Sequence, residues 1–184
     1  MLAASATPPV ADASSEVVHA AFRDLHGRRL HGFALLLMLG DAARAAQLAV
    51  DALDAGSTRI DELRHPERAA AWLRARVVAS SRGMPRAGRR VQPLSDLGVD
   101  ASVASALGTL GHLERAALIA SSIERLDRRD VATVVGRHGD ALDRLLAHAR
   151  RGYGAAHAEG NPSEDVPVGP LVERVHAEAD RAMR

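Results

Sequence analysis

Nine histidines and 23 carboxylates are the residues of this 184-residue chain whose types could do catalytic or metal chemistry. A zinc site on one helix needs two imidazoles three or four residues apart, so that both leave the same face. His19, His26, His31, His65, His112, His138, His148, His157 and His176 contain no such pair and no His-Glu-x-x-His, which argues against a metal. Cysteine is absent, which removes thiolate ligands, disulfides and cysteine nucleophiles and fits a reducing compartment. There is no Gly-x-Ser-x-Gly elbow, Walker-type phosphate loop or Gly-x-Gly-x-x-Gly turn. Ser121-Ser122 falls on a helical pattern and reads as structural. Neither an enzyme activity nor a cofactor is therefore expected.

The remaining chemistry is that of arginine. All 24 basic residues are Arg, which reads first as coding bias, and the net charge is only +1. Nucleic-acid binding must then come from local placement of guanidinium groups. The most directed placement lies between Leu110 and Arg151, where three short amphipathic patterns are joined by tight breaks. Asp127 to Gly136 reads like the first helix and turn of a helix-turn-helix, the motif that presents a second helix to the DNA major groove. Asp127 is a plausible N-cap, with Asp130 three residues on as an Asp variant of the capping box. Leu113, Ala117, Leu118 and Ile123 face inward on a support helix, and Leu126 packs at the turn. Val131, Val134 and Val135 bury the short helix, and Gly136 permits the turn. A third helix starts near Gly139 or Asp140 and turns Leu142, Leu145, Leu146 and Ala149 inward. Arg137, His138, Ala141, Arg144 and His148 are left pointing outward. A plain helical hairpin with a solvated face has the same spacing.

The elements that must carry these residues read as helix throughout. Apolar residues make up 47% of the chain, mostly Ala, Leu and Val, and such side chains lose little freedom in a helix. Residues 1–14, rich in Ala, Ser and Pro, are expected to be disordered. They carry no basic and apolar run of the secretory kind, and no stretch approaches the roughly 20 apolar residues of a membrane span, so a soluble, cytoplasmic protein is expected. The first helical unit covers 15–82. Val18, Phe22, Leu25, Leu30, Phe33, Leu36 and Leu37 form one stripe, with an adjustment near Gly27 and a stop at Gly40. Asp41 caps a second helix built on Ala45, Leu48, Ala49, Ala52 and Leu53 and ended by Gly56. Pro66 opens a third, burying Ala69, Trp72, Leu73 and Val77. Residues 83–100 read as a flexible basic linker, with Arg82, Arg86, Arg89 and Arg90 among Gly and Pro and without a nearby acid. The second unit covers 101–153. A flexible tail, 154–184, ends in an amphipathic helix from Leu171 to Met183 that could fold back or dock a partner. The expected fold is all-α: a three-helix bundle and a helix-turn-helix domain joined by the linker.

Leu110 to Arg151 resembles, without gaps, the fourth conserved region of sigma-70 family RNA polymerase sigma factors of the extracytoplasmic-function group. The matching residues are Leu110, Arg115, Ala116, Leu118, Glu124, Leu126, Asp130, Val131, Ala132, Val134, Gly136, Leu142, Leu146, Ala149, Arg150 and Arg151. The first unit resembles the family's second conserved region through Phe22, Leu25, Arg29 to Leu35, Gly40-Asp41, Arg44-Ala45, Leu48 and Ala71 to Leu73. The resemblance implies an alternative sigma factor that binds core RNA polymerase and recognises promoter DNA, with an anti-sigma factor as a further candidate partner. Carried over by position, Arg128, Arg137, His138, Asp140, Ala141, Asp143, Arg144, His148 and Arg151 sit where the family's helix-turn-helix meets DNA. Asp41, Gln47, Leu48 and Asp51 sit on the helix that family members use to grip polymerase.

This chain departs from the family pattern where function lies. The family's Ser-x-x-Thr-Val-x-Ser-Arg stretch appears here as His138 to Leu145, which loses hydroxyls and gains two carboxylates. Phosphate repels a carboxylate, although an acid can accept a hydrogen bond from cytosine N4. From Glu124 to Arg151 seven arginines face five acids, a net charge of only +2. The acidic polymerase-binding stretch retains only Asp51. A degenerate sigma-like regulator or protein-interaction module that has lost promoter binding is the alternative reading.

Overall fold

The computed structural model describes residues 10–83, 94, 96 and 98–160. Every regular element among them is helical. Helix α1 spans Val10–Leu37, so it begins inside the stretch expected to be disordered and runs unbroken through Gly27. Its last residues, Phe33 to Leu37, are buried on all sides, as expected of a helix segment that is apolar around its whole circumference. The other end projects: Val18 and Leu25, assigned to the inward stripe from periodicity, are 49% and 59% exposed. The helix stops at the expected Gly40, but with a second left-handed residue before it. Gly40 N–H donates to the Leu35 carbonyl at 2.8 Å and Leu39 N–H to the Leu36 carbonyl at 3.2 Å, the two bonds of a Schellman motif. Leu39, at φ 55°, takes the left-handed position of the motif, and the expected Gly40 follows it at φ 86°. Full burial of the Leu39 side chain offsets a crowding cost of about 1–2 kcal/mol.

Helix α2 (Ala42–Ser57) starts at Asp41, whose side chain accepts from the Arg44 N–H at 3.2 Å. Ala45, Leu48, Ala49, Ala52 and Leu53 are buried, as their spacing requires. Gly56 lies inside the helix rather than ending it. A Cβ there would stand 2.9 Å from Leu73 Cδ2 and 3.0 Å from Phe22 Cε1, so the missing side chain lets three helices meet. Helix α3 (Pro66–Ser80) opens on Pro66 and buries Ala69, Leu73 and Val77. Trp72 is half-buried against the core, with the Arg59 guanidinium 5.5 Å from its ring centroid.

Helix α4 (Ala101–Thr109) is capped by Asp100, which accepts from the Ser102 N–H at 2.7 Å. Helix α5 (His112–Leu118) runs into one π-helical turn, Ile119–Ile123. Helix α6 (Arg128–Val135) is short, and helix α7 (Gly139–Gly160) is long. The flexible stretch expected from residue 154 is helix as far as Gly160. Ala155, Ala156 and Ala158 favour helix, and this part of α7 is stabilised by stacking of Tyr153 on His157 and by Gly152 lying against Leu110.

The sequence places two units on either side of a linker, yet side chains of both share one buried core. Phe33, Leu36 and Leu73 belong to it together with Leu107, Ile119, Val135 and Leu142. Helix α3 lies against α6, and α1 against α5 and its π-turn. Leu94 and Val99, at the end of the expected linker, are buried in the same core. Residues 84–93 of that linker and the helix expected over Leu171 to Met183 lie outside the described residues. Among the described residues no helix is long and apolar enough to cross a membrane.

Candidate nucleic-acid interface

The helix-turn-helix geometry arises locally. The Asp127 side chain accepts from the Asp130 N–H at 2.8 Å, the forward half of the expected capping box. Val131, Ala132, Val134 and Val135 point into the core. Gly136 takes φ 63°, and its N–H bonds the Ala132 carbonyl to end α6. Residues 136–138 make the turn, and Gly139, at φ 54°, starts α7.

Leu142 and Ala149 of α7 are buried, and Leu145 and Leu146 are half-buried. The opposite face therefore looks outward. With 3.6 residues per turn, Asp140, Arg144 and Arg151 share that face, and all three are exposed. Arg137 and His138, in the turn, are also exposed, while Ala141 is half-buried. Among the described residues the Arg137 guanidinium donates to the neighbouring Gly136 carbonyl alone, at 3.2 Å. Exposed His148 lies at the flank, its Nε2 3.4 Å from the Glu114 carboxylate of α5.

Arg128 and Asp143, both positioned by the sequence on the DNA side, are bound to each other. The guanidinium forks onto both carboxylate oxygens, one at 2.9 Å, and also donates to the Gly139 carbonyl at 3.4 Å. Hydrogen bonding and charge within the pair push the Asp143 carboxyl down and the Arg128 guanidinium up. The pair ties the start of α6 to the first turns of α7 and sets the two charges against each other.

The residues carried over for polymerase binding behave differently from one another. Leu48 is buried and packs the core, so it presents nothing to a partner. Asp41 caps α2. Gln47 and Asp51 are exposed and joined by a 2.7 Å hydrogen bond from Gln47 Nε2.

Sequence reasoning missed the buried charges between the halves. Arg74 of α3 is 3% exposed and donates at 2.5 Å to Glu124, 9% exposed, at the end of the π-turn. Its other amine donates to the Ala70 carbonyl at 3.0 Å. Arg74 carries no reading in the sequence and Glu124 enters it only through the family pattern, and only their proximity, 50 residues apart, reveals the pair. A cleft of about 220 Å³, lined by His65, Glu67, Arg68, Asp127, Arg129 and Asp130, lies where the N-termini of α3 and α6 approach. Burial, and then the Asp127 and Glu67 carboxylates, push Asp130 up against the pull of Arg129. Among the described residues no group of three or more His, Asp or Glu could hold a metal ion. Comparison with family models, with characterised proteins and with solved structures finds nothing that matches this chain.

Proposed function

We propose that this protein is a sigma-like transcription factor that binds duplex promoter DNA through α6 and α7 and works with core RNA polymerase. The observation that carries the reading is the outward face of α7, where Arg144 and Arg151 make no hydrogen bond or ion pair among the described residues, with Arg137 beside them in the turn. Guanidinium groups so presented suit phosphate and base edges, and a short helix capped by Asp127 and ended by left-handed Gly136 suits a helix-turn-helix.

A second reading, a sigma-like regulator that binds protein instead of promoter, is favoured by the engagement of Arg128 with Asp143, which takes one guanidinium from the duplex face. A gel shift of the full chain against a duplex pool, from about 50 mM salt upward, separates the two, because electrostatic binding is strongest at low salt. The promoter reading expects binding that weakens with salt and weakens further in Arg137→Ala and Arg144→Ala. Capture of core polymerase without any duplex binding supports the regulator, and absence of both leaves a helical scaffold.

A further inference from the structure

Resting on that duplex-binding reading, we infer that Asp140 reads a base and that the site selects a duplex carrying cytosine in the major groove under the first turn of α7. The pattern places several acids near the presented surface, and the structure removes all but one. Asp143 is forked by Arg128. Asp127 caps α6, and Asp130 lines the cleft toward α3. Glu114 lies across from His148 and accepts from the Gly111 N–H at 2.8 Å. The Asp140 side chain is exposed and makes no hydrogen bond or ion pair among the described residues, although its charge also acts on the nearby Arg128 guanidinium.

Its place on α7 is the relevant one. The N-terminal residues of a recognition helix meet base edges while later residues lie along the backbone. Arg144 and Arg151 follow Asp140 on the same outward face, one turn and then three turns on. Guanidiniums there draw the phosphates in and bring the carboxylate to the groove floor. Among the described residues no donor reaches either oxygen of that carboxylate, and phosphate offers none. Cytosine N4–H₂ does, and pairing of an acid with this amine is a recognised direct contact. Asp140 therefore weakens binding to duplexes in general and favours those that place an amine at its position.

Selection of the full-length protein on a pool of random duplexes at about 50 mM salt tests the assignment. The wild type should enrich cytosine at one position by about tenfold. Asp140→Asn should move that preference to adenine, whose N6 and N7 pair with a carboxamide. Asp140→Ala should lose the preference and bind the unselected pool severalfold more tightly, because a repelling charge is gone. Arg144→Ala should lower affinity for all sequences alike. Unchanged base preference in both Asp140 variants overturns the role of Asp140 and leaves duplex binding standing. In that case a lowered melting temperature of Asp140→Ala would assign the carboxylate to the helix dipole instead. Failure of the wild type to bind any duplex overturns the duplex reading and this inference with it.

Discussion

The Arg115 guanidinium of α5 donates to the carbonyl of Leu37, the last residue of α1 and 78 residues earlier in the chain, at 2.8 Å. The same group donates to the Leu107 and Leu110 carbonyls at 2.9 Å each. Carbonyls at a helix end have no partner within their own helix. One buried cation thus satisfies the ends of α1 and α4 together, with no carboxylate involved. Burial without an opposing charge lowers its pKa to about 10.

Arg115→Met should therefore cost roughly 3 kcal/mol or more, since it leaves buried carbonyls unpaired. Arg115→Lys should rescue little, because a compact ammonium cannot span the fork. Urea denaturation followed by the fluorescence of Trp72, the one tryptophan, and by far-ultraviolet circular dichroism checks this. Wild-type curves should coincide, because the halves share a core. A loss below about 1 kcal/mol in Arg115→Met would refute the assignment.

The Arg74–Glu124 pair permits a double-mutant cycle. Either Arg74→Met or Glu124→Leu alone strands a buried charge and should cost about 3–5 kcal/mol. Both together should cost less than the sum, by a coupling of about 1–3 kcal/mol. Additive losses in the denaturation midpoints would mean that the two charges do not act as a pair.

Two glycines should respond for different reasons. In Gly56→Ala the new methyl meets Leu73 and Phe22, an overpacking that should cost about 1–3 kcal/mol. In Gly136→Ala nothing lies within 4 Å of the added carbon, so the loss, about 1 kcal/mol, comes from the left-handed backbone alone. Thermal melts of the two variants, compared with Gly154→Ala as a control of open space, separate packing from backbone strain.

Asp143→Ala should release Arg128 toward a ligand. Duplex affinity should rise severalfold, and the logarithmic salt slope should steepen by about one. Arg128→Ala, which bares the Asp143 carboxylate, should have the opposite effect on both. Equal slopes in wild type and Asp143→Ala would show that Arg128 does not reach phosphate.

Acid should loosen the fold through two histidines. Burial, reinforced by the Arg74 charge, lowers the pKa of His26. Burial, with Arg115 and Arg82 adding to it against the hydrogen bond to the Val78 carbonyl, lowers that of His112. The neutral form is favoured in the fold, so this stability is complete above about pH 6.5, the unfolded value. It is lost as pH falls through the lower folded values. The Asp130 carboxyl, pushed up, has the opposite sign, adding stability as pH falls through its folded value and losing it as pH rises. Urea midpoints from about pH 7.5 to 5 should fall in the wild type and fall less in His112→Gln. Parallel profiles for the two proteins would remove His112 from the account.

Much of the local architecture was legible in the residue order. The caps at Asp41 and Asp127, the Pro66 start, the Gly136 turn and the inward faces of α2 and α6 rest on neighbours within one or two helical turns. The same logic misjudged Gly56, whose reason is an approach between helices, and Leu25, whose apolar side chain is more than half exposed. It also stopped α7 near Tyr153, because packing of its last turns against α4 leaves no periodic mark.

Helix content, caps and the outward direction of Arg137 and Arg144 were thus set by short-range patterning in the chain. Which charges remain available on that surface, and how the two halves meet, depended on folding in three dimensions. Arg128 finds Asp143, Arg74 finds Glu124 and Arg115 finds Leu37 across intervals of 15, 50 and 78 residues. Interactions at such separations leave no trace in helical periodicity, because they follow from how packed faces bring distant turns together and from the need to satisfy every buried charge and carbonyl once water has gone.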